Sequence, residues 1–305
     1  LLDGVLLLDK PVGLSSNDAL MAAKRLFQAK KAGHTGTLDP LASGLLPLCF
    51  GEATKFSQDL LDADKTYEAT MRLGVRTTTG DAEGEVVETR PVVADPAGLE
   101  AACARFRGEI VQIPPMYSAL KRDGKPLYEY ARAGETVERA GRHVVIHDLA
   151  ILDLAWPDVT FRVTCSKGTY VRTLAEDIGE AFGCGAHLVM LRRTGVGALT
   201  LEHAVTLDTL AQLEPAGRDA RLRPVDALLC TFPEMRLDAE AARRFLQGQR
   251  LKLAELPAVV HAPQSSERRV RVYRAADGAL LGVARAEKGV LAPERLVAVN
   301  LYHPH

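Results

Sequence analysis

The 305-residue sequence predicts an α+β fold: a mixed, largely antiparallel sheet flanked by helices, followed by a small C-terminal β-rich module. Three observations carry this expectation. Strand-like and helical runs are interspersed, without the regular alternation of a doubly wound parallel sheet. After Pro233 the pattern changes to one helical stretch followed by short strand-like runs. Composition is that of a folded globular chain, 47% hydrophobic and 25% charged, and the length suffices for one large core plus a satellite.

Taken in order, residues 4–9 read as a buried strand ended by Lys10-Pro11-Val12-Gly13. Ser15, Ser16 or Asn17 can cap a helix with apolar positions at Leu20, Ala23, Leu26 and Phe27. Residues 45–50 form an apolar strand run, and 54–61 have helical spacing. Residues 67–73 alternate as a strand should, with Tyr67, Ala69, Met71 and Leu73 on one face. A polar loop at 77–84 leads to a short strand at 85–88. Asp95-Pro96 opens a helix through Phe106. Residues 117–143 are rich in charge and Gly, carry a short helix at 127–132, and are expected to form a mobile insertion over a site.

Strands at 144–154 and 159–165 flank a Pro157-Asp158 turn; a helix at 170–182 and a strand-like run at 188–191 follow. Residues 214–223 are polar enough for a surface excursion. Beyond Pro233 we expect a helix at 239–247 and strands at 269–274, 280–286 and 295–299. The chain therefore divides into residues 1–233 and 234–305.

Bulk properties narrow the function classes. No apolar run reaches the roughly 18 residues that span a bilayer. Residues 1–8 are apolar but lack a basic leader and a small-residue cleavage site, so no signal peptide is expected. The missing initiator Met leads us to expect a short segment ahead of Leu1. Cys49, Cys103, Cys165, Cys184 and Cys230 are odd in number and show no paired spacing. They read as reduced, buried thiols of a cytoplasmic protein, not as disulfides or a zinc site. The net charge is −1, yet residues 234–305 hold twelve Arg and Lys against eight Asp and Glu, an excess of four. The remaining 233 residues thus carry −5, a mildly acidic body with a basic tail.

The stretch richest in chemistry is Gly33-His34-Thr35-Gly36-Thr37-Leu38-Asp39-Pro40-Leu41-Ala42-Ser43-Gly44. Its glycines relieve backbone crowding, and Pro40 biases Asp39 toward an extended conformation. Read locally, Asp39-Pro40 suits the start of a turn as well as the presentation of a catalytic carboxylate. The Gly33–Thr37 run lacks the Walker spacing and the Gly-Lys-Ser/Thr ending of a phosphate loop. There is no dinucleotide fingerprint and no metal-ligand cluster, so neither cofactor nor metal is expected.

His34-x-Gly36-x-Leu38-Asp39-Pro40-x-Ala42-x-Gly44, followed by Gly51-Glu52-Ala53-Thr54-Lys55, resembles the catalytic motif of TruB-type tRNA pseudouridine-55 synthases. Similarity to that family also runs through Lys10-Pro11-x-Gly13-x-Ser15-Ser16, Lys65-Thr66-Tyr67, Pro114-x-Met116-Tyr117-Ser118-Ala119-Leu120-Lys121 and Cys165-Ser166-Lys167-Gly168-Thr169-Tyr170-Val171-Arg172. The blocks occur in the family's order over residues 2–193, and the tail is similar to the family's PUA domain.

The resemblance implies a cofactor-free isomerisation of uridine in the T-loop of tRNA, with the base flipped out of its stack. Asp39 is implied as the catalytic carboxylate and Arg172 as the guanidinium that keeps it ionised and oriented. Tyr67 and Tyr170 are implied as aromatic platforms and Leu191 as an apolar wall, with Tyr67 also aiding loss of the carbon-5 proton. His34 matches the residue that stacks in the gap left by the extruded base. Asp81 is assigned to the RNA loop and Lys10 to support of the first loop. Lys121, Arg122, Lys125, Arg192, Arg193, Arg268, Arg269, Arg271 and Arg274 are expected to form a phosphate track.

The expected partner is tRNA through its T-stem-loop, bound by a monomer with no obligate protein partner and no membrane. Two other readings share the motifs: a non-catalytic tRNA-binding or tRNA-folding protein, and a guide-RNA-dependent relative, which the compact tail disfavours. A small-molecule glycosidase would want two carboxylates flanking the bond, and one acid stands out.

Overall fold

In the computed structural model of the chain, residues 2–118, 120–256 and 268–297 are described. Its main sheet is built on β1 (Gly4–Lys10), β2 (Ala42–Phe50), β3 (Lys65–Leu73), β4 (Gly108–Gln112), β5 (Arg142–Ala155), β6 (Asp158–Cys165) and β7 (Ala186–Val196). These lie in the order β1-β2-β7-β3-β6-β5-β4, with short strands Ala32–His34 and Leu199–Thr200 beside β2 and β7. Every neighbouring pair along this path is antiparallel except β2–β7, where Leu191, Arg192 and Arg193 run parallel to Ala42, Ser43 and Gly44. The sheet is mixed and largely antiparallel, as the interspersed pattern predicts.

The apolar run of β1 is covered on both faces, with Leu6 and Leu8 in the main core and Val5 and Leu7 in a second cluster. A strand covered on both faces has no reason to alternate. β3 is covered by the main core on one face, and Ala69, Met71 and Leu73 mark it. Among the three candidate caps, Ser15 caps α1 (Ser16–Leu26), its hydroxyl accepting from the Asp18 amide at 3.1 Å. Asp95 caps α2 (Pro96–Ala104), which ends two residues before the expected Phe106. α3 (Val171–Phe182) buries Val171, Leu174, Ala175 and Ile178, one helical face, and stops at Gly183 in the left-handed region.

Several boundaries differ from the sequence reading. Residues 54–60 belong to a 3₁₀ helix, Gly51–Leu60, with Leu61 its C-cap. The strand at 85–88 is Val86–Thr89, paired with Val75–Thr77. The run at 188–191 is the middle of a long strand, and edge strand β4 carries too little alternation to be read from sequence. Residues 214–223 are not wholly a surface excursion. After the short helix Pro215–Asp219 the backbone of Arg223 exchanges hydrogen bonds of 2.9 and 2.8 Å with Val5.

From Glu234 onward a second sheet forms from β8 (Glu234–Leu237), β9 (Arg268–Arg274), β10 (Leu280–Glu287), β11 (Val290–Leu296) and Leu251–Lys252, in that order, with α4 (Ala239–Leu246) packed on it. Met235, Leu237, Phe245, Val270, Val272 and Leu291 give it a core of its own. Of the strand expected at 295–299, residues 295 and 296 belong to β11, and 298–299 lie outside the described residues. This module is fastened to the main body. Val283 packs into the cluster holding Leu7, Phe56 and Leu228, and buried Asp59 pairs with Arg269 at 2.7 Å and Arg295 at 3.3 Å. The Tyr273 hydroxyl donates to Asp226 at 2.8 Å.

Candidate active site

The loop between the short strand Ala32–His34 and β2 carries Asp39, and its shape is set by its neighbours. The Ser16 hydroxyl accepts from the Leu38 amide at 2.8 Å and lies 3.1 Å from the Leu38 carbonyl, clamping the residue before Asp39 from the start of α1. The Gly13 amide donates to Pro40 O and the Ala42 amide to Asp39 O, closing the turn on both sides. Gly44 sits at φ +101°, and a Cβ there would come within 2.2 Å of the Arg193 carbonyl oxygen. Only glycine lets β2 approach β7 this closely.

Asp39 meets a cation from 133 residues further along the chain. Arg172, the second residue of α3, places Nη2 2.9 Å from Asp39 Oδ2. The guanidinium is buried while the carboxylate remains 42% exposed, so a fixed cation orients an acid that opens outward. Arg172 is itself held: Nη1 donates to Thr79 O at 3.0 Å, Nη2 to Tyr117 O at 2.8 Å, and Nε faces Asp81 Oδ2 at 3.7 Å. Asp81, assigned from sequence to the RNA loop, is instead buried and turned inward. Its carboxylate accepts from the Thr79 hydroxyl and the Glu83 amide.

In front of the pair lies a cleft of about 360 Å³ lined by Asp39, Tyr67, Tyr170, Leu191, Arg193 and Ser118, among others. Sheet register explains the lining. Side chains alternate across a strand, so Lys65 and Tyr67 on β3 share a face with Leu191 and Arg193 on β7. Arg192 points the other way and forms a bidentate pair with Asp9 at 3.0 and 2.8 Å. Tyr170 is anchored through its backbone by buried Gln112, whose side-chain amide accepts from Tyr170 N and donates to Tyr170 O.

The electrostatics follow from burial. Burial pushes the Tyr67 hydroxyl above its ordinary pKa, and the nearby Arg193 guanidinium opposes this. Tyr170 is likewise raised by burial. The ammonium of Lys65 falls to about 8, first because it is buried and then because Arg193 is close. The Cys165 thiol at the cleft wall is pushed up to about 11 by burial, a protonated group unsuited to nucleophilic attack. Asp39 is the one acid among the lining residues, so the two-carboxylate arrangement of a glycosidase is not met here.

Of the residues singled out from sequence, Asp39, Arg172, Tyr67, Tyr170 and Leu191 converge on this cleft, and Asp81 stands behind it. Lys10 lies outside the lining: it is buried, donates to Pro11 O and Leu14 O, and has its pKa lowered by burial to about 8. His34 ends its strand outside the lining, with Nδ1 buried and without a hydrogen-bond partner among the described residues.

The expected phosphate track needs correction. Arg193 is 1% exposed at the cleft floor, Arg192 is engaged by Asp9, Arg269 by Asp59 and Glu294, and Arg274 by Asp277. Long cations at an interior or paired position have no free fork for RNA. Lys121 and Arg122 remain exposed, and Lys125 half-buried, on the short hairpin next to the cleft. Sequence reasoning missed Arg193, Gln112, Ser16 and Ser118 as parts of the site. For Arg193 a signal existed, because a period of two from Leu191 places it on the same face.

Comparison with known proteins places the chain in a family. The family model described as TruB family pseudouridylate synthase (N terminal domain) matches residues 24–171. The tRNA pseudouridylate synthase B C-terminal domain matches 172–230, and the C-terminal model of pseudouridine synthase II TruB matches 233–297. The chain is 78% identical over 299 residues to tRNA pseudouridine synthase B of Burkholderia mallei, covering 98% of each chain. It is 66% identical to the protein of the same name from Cupriavidus metallidurans, covering 96% of this chain and 94% of that one. Among solved structures, a Cbf5-Nop10-Gar1 complex matches with a TM-score of 0.76 at 26% identity, over 96% of this chain and 84% of the other. With models matching nearly its whole length and relatives this close, the chain belongs to the TruB family of pseudouridylate synthases.

Proposed function

We propose that this protein converts uridine to pseudouridine at position 55 in the T-loop of tRNA, as a cytoplasmic monomer needing no obligate protein partner. The observation that carries the reading is the 2.9 Å pair between half-exposed Asp39 and buried Arg172 at the mouth of an aromatic-walled cleft. Isomerisation moves no electrons in or out and carries no group away. What it demands of the protein is a place for an extruded base and an ionised carboxylate beside the sugar–base bond.

Tyr67 and Tyr170 supply aromatic faces and Leu191 an apolar wall for the base. Arg172 keeps Asp39 oriented, and Asp81 keeps Arg172 in place. His34, just ahead of the catalytic loop, fills the gap the base leaves. Lys10 secures the loop after β1, and the hairpin cations Lys121, Arg122 and Lys125 meet phosphates.

The test is to incubate the purified protein with an unmodified tRNA transcript and map pseudouridine by carbodiimide labelling and primer extension. One modification, at uridine 55, is expected. An unmodified transcript, or modification elsewhere, overturns the reading.

A further inference from the structure

Arg193 is the largest side chain wholly buried in the protein, and no carboxylate lies within ion-pair distance of it among the described residues. Its partners are neutral: Nε donates to Leu45 O at 2.8 Å and Nη2 to Gly36 O at 3.1 Å. Burying a charge without a counter-charge is costly, and most buried guanidinium groups are paired. Here a second cation, Lys65, lies nearby on the same face of the sheet and adds to the positive charge. The chain thus maintains a positive floor under a cleft whose only acid is already held by Arg172.

The register gives that floor a target. Arg193 on β7 is the direct cross-strand partner of Tyr67 on β3, both side chains line the cleft, and the guanidinium charge opposes the burial that raises the pKa of the tyrosine hydroxyl. On its other side, Arg193 abuts the catalytic loop at Gly36, where a Cβ would come within 3.3 Å of Nη1, and at Gly44, which it faces in the parallel pairing. One side chain therefore stands beside the aromatic platform and is hydrogen-bonded to the backbone of the loop that presents Asp39.

We propose that Arg193 is a positioning residue for the isomerisation: it holds the Tyr67 hydroxyl from the sheet side so that the ring faces the extruded base, and its unneutralised charge supports the base as it becomes electron-rich. This rests on the reading of the cleft as a uridine isomerase. When the C1′–N1 bond breaks, its electron pair passes to the uracil ring and spreads into the carbonyl oxygens. The pair returns when the C5–C1′ bond forms; carbon 5 then passes its proton to water and N1 takes one up from water, so no proton, electron or group is gained or lost overall. Arg193 neither gives nor takes a proton in this sequence; it lowers the energy of the charge-separated stage.

The test compares wild type, Arg193→Met, Arg193→Lys, Tyr67→Phe and Asp39→Asn in single-turnover pseudouridine formation, with tRNA affinity measured alongside. Met keeps the volume and removes the charge, so Arg193→Met is expected to slow the step about 100-fold while affinity stays within about threefold. Lys restores the charge without the fork, and Arg193→Lys is expected to recover at least about tenfold of that loss. A rate for Arg193→Met within about threefold of wild type, or no recovery in Arg193→Lys, overturns the proposal. Should circular dichroism show Arg193→Met unfolded, Tyr67→Phe decides: a slower step at unchanged affinity supports the anchor, and a wild-type rate refutes it. An inactive wild type, or full activity in Asp39→Asn, removes the underlying reading instead. An active wild type with inert Asp39→Asn and full-speed Arg193→Met removes only this inference.

Discussion

Asp59→Asn tests how firmly the C-terminal module is fastened to the catalytic body. The Asp59 side chain is 1% exposed and receives Arg269 at 2.7 Å and Arg295 at 3.3 Å, both from the second sheet. Arg269 also pairs with Glu294 at 2.6 Å and lies over the Phe232 ring at 4.8 Å. Removing one member of a buried pair typically costs about 3–5 kcal/mol, because the partner charge is left uncompensated. The two arginine side chains are 31% and 39% exposed and regain some water, and Glu294 retains Arg269, so the lower end applies. About 3 kcal/mol corresponds to a roughly hundredfold loss in the folded-to-unfolded ratio, and to a fall in Tm of roughly 6–12 °C for a chain near this size. Differential scanning calorimetry measures it directly. A midpoint within about 2 °C of wild type would show that the Asp59 pairs contribute little and that apolar packing around Val283 holds the module.

Two further substitutions probe the site's supports. Ser16→Ala leaves the buried Leu38 amide without its acceptor, a cost of about 1–3 kcal/mol next to Asp39. Its turnover is expected to fall while tRNA affinity holds, and unchanged kcat would show that the loop keeps its shape without the clamp. Glu176, one turn beyond Arg172 on α3, has its pKa raised to about 7, mainly by burial, with Asp177 and Asp81 adding and Arg76 and Arg172 opposing. The native state therefore binds a proton that the unfolded state gives up near 4.5. The stabilisation is complete below that value and is lost as pH rises through 7. Glu176→Gln keeps the neutral form at every pH, so relative to wild type it should gain on the order of 1–3 kcal/mol between pH 5 and pH 8. Urea midpoints at the two pH values check it, and a pH-independent difference would refute the linkage.

The sheet's character was legible because the apolar run at residues 4–9 and the alternating run at 159–165 have no helical period, and because no regular crossover helices separate them. β4 was not legible: it is an edge strand with Glu109 and Val111 exposed, so its pattern carries little burial signal. The pairing of Asp39 with Arg172 could be expected only from the resemblance. Nothing in the composition of α3 shows that its second residue turns toward a loop 133 positions earlier.

Arg193 shows the opposite failure. Adjacent arginines invite a reading as phosphate contacts, yet strand alternation sends Arg192 to Asp9 and Arg193 into the cleft. Two of the C-terminal arginines, Arg269 and Arg274, were misread for a related reason. A net positive segment is counted as if its charges were free, but Arg269 is committed to Asp59 and Glu294, Arg274 to Asp277 and Arg295 to Asp59.

Single-turnover pseudouridine formation by Asp39→Asn, with tRNA binding measured on the same preparation, probes the oriented carboxylate itself. Asparagine keeps the size and much of the contact with Arg172 but cannot act as nucleophile or base. No detectable product at near wild-type affinity is the expected result. Product at the wild-type rate would mean that the acid presented beside Arg172 does not perform the chemistry.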